Sequence, residues 1–230
     1  MALIFLLPIF MPSLSFINKI NDNEMSNISN QLINSRILKI GGICLLVSGI
    51  IGIATKTSLK VNLLSLQVPI ILFQLLAINP LFKLIDINRQ LPLREASNLI
   101  VKIKKNNESI AMVGIEKPSV HFYTNQVILY EDNTMISIID LSERLSVEKR
   151  IGWEGNGIGN HNLSNSVLII IDNLTSKLSH WQLLNPKKLG GFGIYNVWRV
   201  DILRLQEIAD KFKKEFNLKS SWKKYDPERY

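Results

Sequence analysis

The chain has 230 residues, 47% of them hydrophobic and 20% charged, and its mean hydropathy of +0.14 is too apolar for an ordinary soluble domain unless the apolar residues are unevenly placed. They are: charged residues are sparse before Lys83 and dense after it. The net charge of +8 is spread over both parts without a concentrated basic face, which argues against a nucleic-acid partner, and the single cysteine, Cys44, excludes an intrachain disulfide and a cysteine-built metal site.

Residues 1–83 read as a membrane region. The apolar stretch Met1 to Ile17 lacks the basic start of a signal peptide and is broken by Pro8 and Pro12, so it reads as a partial span, with a membrane-surface segment as the alternative. A polar stretch precedes the next span, at about 37–55, where Lys39 and Lys56 flank the apolar core and can snorkel to the interface. Gly41, Gly42, Ser48, Gly49 and Gly52 give that helix small faces suited to packing against other membrane helices. The stretch from Val61 to Phe82, between Lys60 and Lys83, carries no charge; at 1.5 Å per residue it extends roughly 33 Å, enough to cross a bilayer. Two lysines in the short link Thr55 to Lys60 place that link on the cytoplasmic side by the positive-inside rule. Arg36, Lys39, Lys83 and Arg89 pull weakly the other way. If the link prevails, everything after Lys83 lies outside the cytoplasm.

Residues 84–230 alternate between helical and strand periods. Leu91 to Lys105 has one apolar helical face; Ser109 to Ile115 and Gln126 to Glu131 are strands. A helix follows over Met135 to Leu145, then a Gly-rich loop, Gly152 to Asn160. The rest is a strand at Ser166 to Asp172, a short helix near Lys177 to Leu183, an aromatic strand at Phe192 to Val200 and a closing helix at Asp201 to Phe216. The fold class is α/β: two or three N-terminal transmembrane helices, then a small external α/β sandwich domain with length enough for its own core.

Catalytic signatures are absent from this pattern. The loop GWEGNGIGN has the glycines of a phosphate cradle but no Lys-Ser/Thr after it, so it reads as a connector. His121, His161 and His180 lack ligand spacing, and no nucleophile elbow occurs. Asp140 and Glu143, one turn apart, read as solvated carboxylates, and Lys211, Lys213 and Lys214 as the solvated side of the last helix. No metal site and no cofactor are expected.

One run carries a resemblance. A strand ending at Gly114, then Lys117-Pro118-Ser119, then Phe122-Tyr123-Thr124 and a second strand, with LPLREASNLIVKIKK before and YNVWRV far downstream, resembles the C-terminal soluble domain of bacterial membrane glycosyltransferases. That family is related to the aminoarabinose lipid A transferases and protein mannosyltransferases of GT-C architecture. The resemblance implies an inverting enzyme of the plasma (inner) membrane, multi-pass, with its C-terminal domain external or periplasmic. It also implies a polyprenyl-phosphate sugar donor and an acidic residue in the first external loop that activates the acceptor. Asp22 and Glu24, the only carboxylates before Lys83, do not stand where the family places that acid. The chain is therefore expected to be a fragment, a split-off piece or a degenerate relative, incomplete for catalysis, with a missing N-terminal multi-span portion or a partner chain. Within the run, Lys117, Ser119 and Tyr123 are candidates for donor or acceptor binding, while Pro118 fixing a turn and Phe122 filling the core explain the same letters as a fold signature. The rival functional class is a membrane-anchored, non-catalytic interaction module.

Overall fold

The computed structural model describes residues 24–25, 28–54, 67–151 and 164–222. The expected partial span at 1–17, the link Thr55 to Lys60, the loop Gly152 to Asn160 and His161 lie outside the described residues. The chain divides into two compact units, Met1–Leu91 and Pro92–Tyr230.

In the first unit, helices α1 (Ile28–Ser35) and α2 (Ile37–Ala54) are separated by Arg36, whose φ of 55° breaks the helix. They are long and apolar enough to cross a membrane only as a pair bent by 51°. Helix α3 (Gln67–Arg89) meets that test alone. It does not end at Lys83 as the charge pattern suggested, because a lysine at the end of an apolar run does not interrupt the backbone ladder. Within it, Gln74–Ile78 forms a π-turn in which the Asn79 N–H donates to the Gln74 carbonyl. Pro80, two residues after this turn, has no N–H to donate and crowds the carbonyl four residues back, and the widened turn makes room for its ring. Ile28, Leu32, Ile37, Leu38 and Ala77 form a small core, whereas Ile43, Ile50, Val68, Ile71, Leu75 and Phe82 are exposed.

The second unit is a three-layer α/β/α domain. Helix α4 (Leu91–Ile103) leads to strand β1 (Ile110–Val113), helix α5 (Ser119–Thr124), strand β2 (Ile128–Glu131) and helix α6 (Met135–Ile151). Strand β3 (Ser166–Asp172), helix α7 (Ser179–Gln182), strands β4 (Lys187–Phe192) and β5 (Tyr195–Asp201) and helix α8 (Ile202–Phe216) complete it. The sheet order is β2-β1-β3-β5-β4. β1 is parallel to both β2 and β3, while β5 is antiparallel to β3 and β4.

Strand alternation divides the core. Ala111, Val113, Val167, Ile169, Ile171, Trp198 and Val200 face one cluster with Ile138, Leu141, Leu205, Ile208 and Phe212 of α6 and α8. Ile110, Met112, Leu168, Ile170, Tyr195 and Val197 face the other, with Leu93, Ala96 and Ile100 of α4 and Val120 of α5. β1 and β3 are buried throughout, which is why both read as continuous apolar runs.

Two expectations are corrected. The single strand expected at Phe192 to Val200 is a hairpin: β4 ends at Phe192, Gly193 turns with φ of 56°, and β5 begins at Tyr195. Pro118 stands in a turn, as expected, and that turn leads into helix α5; Phe122, expected in the core, is 81% exposed. Val120 and Thr124, four apart, take the buried face of that short helix instead.

Candidate functional site

The carboxyl ends of β1, β2 and β3 share one edge of the sheet, and the chain leaves β1 toward β2 on one side while β3 pairs on the other. Such a switch point is where open α/β sheets form ligand crevices. Here the gap is closed tightly. Gly114 has φ of 88°, and a Cβ there would lie 2.0 Å from Asp172 Oδ2 and 2.5 Å from Thr175 Oγ1. Asp172, buried, accepts from the Leu174 N–H at 2.8 Å, the Thr175 N–H at 3.0 Å and the Thr175 hydroxyl at 2.5 Å. Its carboxylate staples a turn and is not placed to act as a base.

The three residues singled out by the sequence lie on the next segment. The Lys117 carbonyl accepts from the Val120 N–H at 3.0 Å and from the Tyr130 hydroxyl at 3.1 Å, fixing the loop that enters α5. Ser119 opens α5 and Tyr123, four residues on, shares its face and packs against the core cluster. All three are half-buried. His121 Nδ1 lies 2.5 Å from the Gln126 carbonyl, and Asn125, with φ of 50°, ends the helix.

Beside this segment is a cleft of about 350 Å³ lined by Glu116, Tyr130, Asp132, Thr134, Ser137 and Ser221, among others. None of Lys117, Ser119 and Tyr123 lines it; Glu116, adjacent to Lys117, and Tyr130, its hydrogen-bond partner, do. Two of its carboxylates are structural. Glu131 pairs with Arg144 at 3.0 Å, both side chains buried, and Arg144 also donates to the Tyr130 carbonyl at 3.0 Å. Asp140 accepts from the hydroxyls of Ser220 and Ser221, both at 2.5 Å, and from the Ser221 N–H at 2.9 Å. The expectation that Asp140 is solvated is thus corrected: it is buried and holds the segment after α8, while Glu143 pairs with Lys213 at 2.9 Å. Glu116 and Asp132 are exposed and engage no partner among the described residues. Carboxylates, hydroxyls and a tyrosine edge are the groups that accept and donate hydrogen bonds to a polyhydroxylated ligand. Among the described residues no group of His, Cys, Asp and Glu is arranged to hold a metal ion.

The opposite edge of the sheet carries an ion pair that sequence reasoning missed. Glu108, fully buried, accepts from Arg199 Nε at 2.8 Å and Nη2 at 3.0 Å, from the Ser166 hydroxyl at 2.5 Å and from the Lys105 N–H at 2.9 Å. Arg199 Nη2 also donates to the Ile103 carbonyl at 2.7 Å. Burial alone pushes the Glu108 carboxyl up, but the bonds from Arg199, Lys105 and Ser166, with the guanidinium charge, outweigh it and hold the group below the ordinary glutamate value. Burial lowers the neighbouring Lys104 ammonium, and the Glu108 charge opposes that shift. The signal was present in YNVWRV: Arg199 has the parity of Tyr195 and Val197, so a charge stands at a core-facing position and demands a partner.

Residues 103–216 match the family model described as Cyanobacterial RgtA-type glycosyltransferase, C-terminal domain. No curated protein and no solved structure matches the chain.

Proposed function

Because its α/β domain belongs to the RgtA-type glycosyltransferase C-terminal family, we propose that this chain is the C-terminal portion of an integral-membrane, GT-C-type glycosyltransferase that uses a polyprenyl-phosphate-linked sugar donor. The family match carries the reading. It is supported by α3, an apolar helix of spanning length with Val68, Ile71, Leu75 and Phe82 exposed, which ends just before the domain begins. Lys56 and Lys60 in the preceding link set the domain on the external face of the membrane, by the positive-inside rule.

In this proposal the α/β domain recognises carbohydrate and does not perform the transfer. General-base activation of an acceptor hydroxyl needs a positioned carboxylate within hydrogen-bond reach. Glu108, Glu131, Asp140 and Asp172 are each engaged in holding the fold. Glu116 and Asp132, beside Tyr130, meet sugar hydroxyls, while Lys117, Ser119 and Tyr123, outside this cleft, offer a separate contact to donor or acceptor. The chemistry belongs to a carboxylate of a multi-span portion or partner chain, so this chain alone binds without transferring.

The test is to incubate the purified chain in nanodiscs with a radiolabelled polyprenyl-phosphate sugar and candidate acceptors. Retention of the donor without labelled product is the expected result. Turnover by this chain alone, abolished in Glu116→Gln or Asp132→Asn, would move the chemistry into the α/β domain. Absence of both retention and turnover would favour a non-catalytic interaction module.

A further inference from the structure

At the edge of the sheet opposite Glu116 and Asp132 lies a larger cleft, of about 520 Å³, with Lys105, Lys187, Arg199, Asp201 and Asn185 among its lining residues. Its construction is unusual in one respect. Lys187 of β4 and Arg199 of β5 are direct partners across the antiparallel pair, so their side chains leave the same face of the sheet side by side. Like charges directly opposite one another on neighbouring strands repel. Glu108 neutralises Arg199 from behind, through Nε and Nη2, which leaves Nη1 with no protein partner among the described residues. Lys187 and, from the segment joining α4 to β1, Lys105 engage no carboxylate among the described residues. Asp201, the acidic group on this wall, accepts at Oδ1 from the Leu203 N–H at 3.0 Å as the cap of α8. Even with Glu108 counted, cations outnumber carboxylates here, in a concave wall whose remaining groups are amides and hydroxyls.

We propose that this cleft binds a phosphate group carried on a hydroxyl-rich headgroup, with Lys105 and Lys187 contacting the phosphate and Arg199 presenting Nη1 from a fixed guanidinium. The bidentate grip of Glu108 removes the rotamer freedom of Arg199 before any ligand arrives, so a directed donor is presented without the ordering cost a free arginine carries. An anion between Lys187 and Arg199 relieves their repulsion, which gives the register a purpose. Asn165, Asn185 and Ser164 supply neutral donors and acceptors for hydroxyls. The site is separate from the carboxylate cleft and stands whether or not the polyprenyl-phosphate reading holds. The phosphate can arrive on a soluble sugar phosphate or on a lipid headgroup.

The experiment is calorimetric titration of the full chain, in nanodiscs of phosphatidylcholine, with hexose 1-phosphate, inorganic phosphate and unphosphorylated hexose. Both phosphate probes should bind and the neutral hexose should not. The double variant Lys105→Ala, Lys187→Ala, whose changes are at exposed side chains, should bind about tenfold more weakly while melting at an unchanged temperature. Equal affinity in the wild type and the double variant, or no heat from either phosphate probe, overturns the proposal. Repeating the titration with phosphatidic acid in the nanodisc distinguishes the sources: loss of hexose 1-phosphate binding assigns the cleft to lipid headgroups, and its persistence to soluble sugar phosphates.

Discussion

Gly114 sits so close to Asp172 that a side chain on it would have to displace the carboxylate that staples the turn after β3. Gly114→Ala therefore combines a strained φ with a lost cap and should destabilise the α/β domain by about 2–4 kcal/mol. Thermal or urea denaturation of the detergent-solubilised chain measures this. A change below about 0.5 kcal/mol would mean that β1 and β3 do not meet as described.

Glu108→Gln should leave Arg199 charged and largely buried without its counter-ion, a change that costs about 3–5 kcal/mol in comparable buried pairs. Wild-type stability should also carry an acid limb. Since the folded carboxyl lies below its unfolded value, its contribution is complete above the ordinary glutamate range of about 4.3 and lost as pH falls through the lowered folded value. The melting temperature of Glu108→Gln should fall less steeply over that acid window than that of the wild type. Parallel curves would show that another group is responsible.

Phe122→Ala should change stability by no more than about 0.5 kcal/mol, because the ring is exposed, whereas Ile170→Ala in the sheet centre should cost about 2–5 kcal/mol. Comparing the two variants in one denaturation series tests where the core lies. Lys117→Ala should be similarly mild for folding; a folded variant that fails to retain a polyprenyl-phosphate sugar would establish the lysine as a donor contact.

Much of the domain was legible because its central strands are buried on both faces and its helices α4 and α8 carry clear apolar stripes. Strand β4 was not, because KKLGGF has two glycines, exposed lysines and a register shift between Lys188 and Gly190, so it shows neither alternation nor an apolar run. Helix α5 was hidden by a proline and by an aromatic ring that a burial rule sends inward and the structure leaves in solvent. Of the candidate sites, the run around Lys117 was visible through its composition. Glu116 and Asp132 were not, since neighbouring strand ends bring them to one cleft from positions 16 apart in the chain. Glu108 and Arg199 are separated by 91 residues, and only pairing through β3 unites them.

Asp140→Ala should release residues 220–222 from α6. Limited proteolysis followed by mass spectrometry should then show faster cleavage after α8, with the rest of the domain retained. Unchanged cleavage kinetics would indicate that the serine contacts do not hold this segment.

The hairpin edge has a further consequence. β4 presents an outermost row of backbone groups that would ordinarily recruit a strand from a neighbouring molecule, yet Lys187 and Lys188 are exposed along it and its register shift twists the row out of line. At the other margin, β2 is only four residues long. A second molecule approaching either margin meets charge, curvature or too few groups to zip onto. Sheet-to-sheet polymerisation is therefore disfavoured from both sides, and the domain keeps its five strands to itself even where copies are crowded.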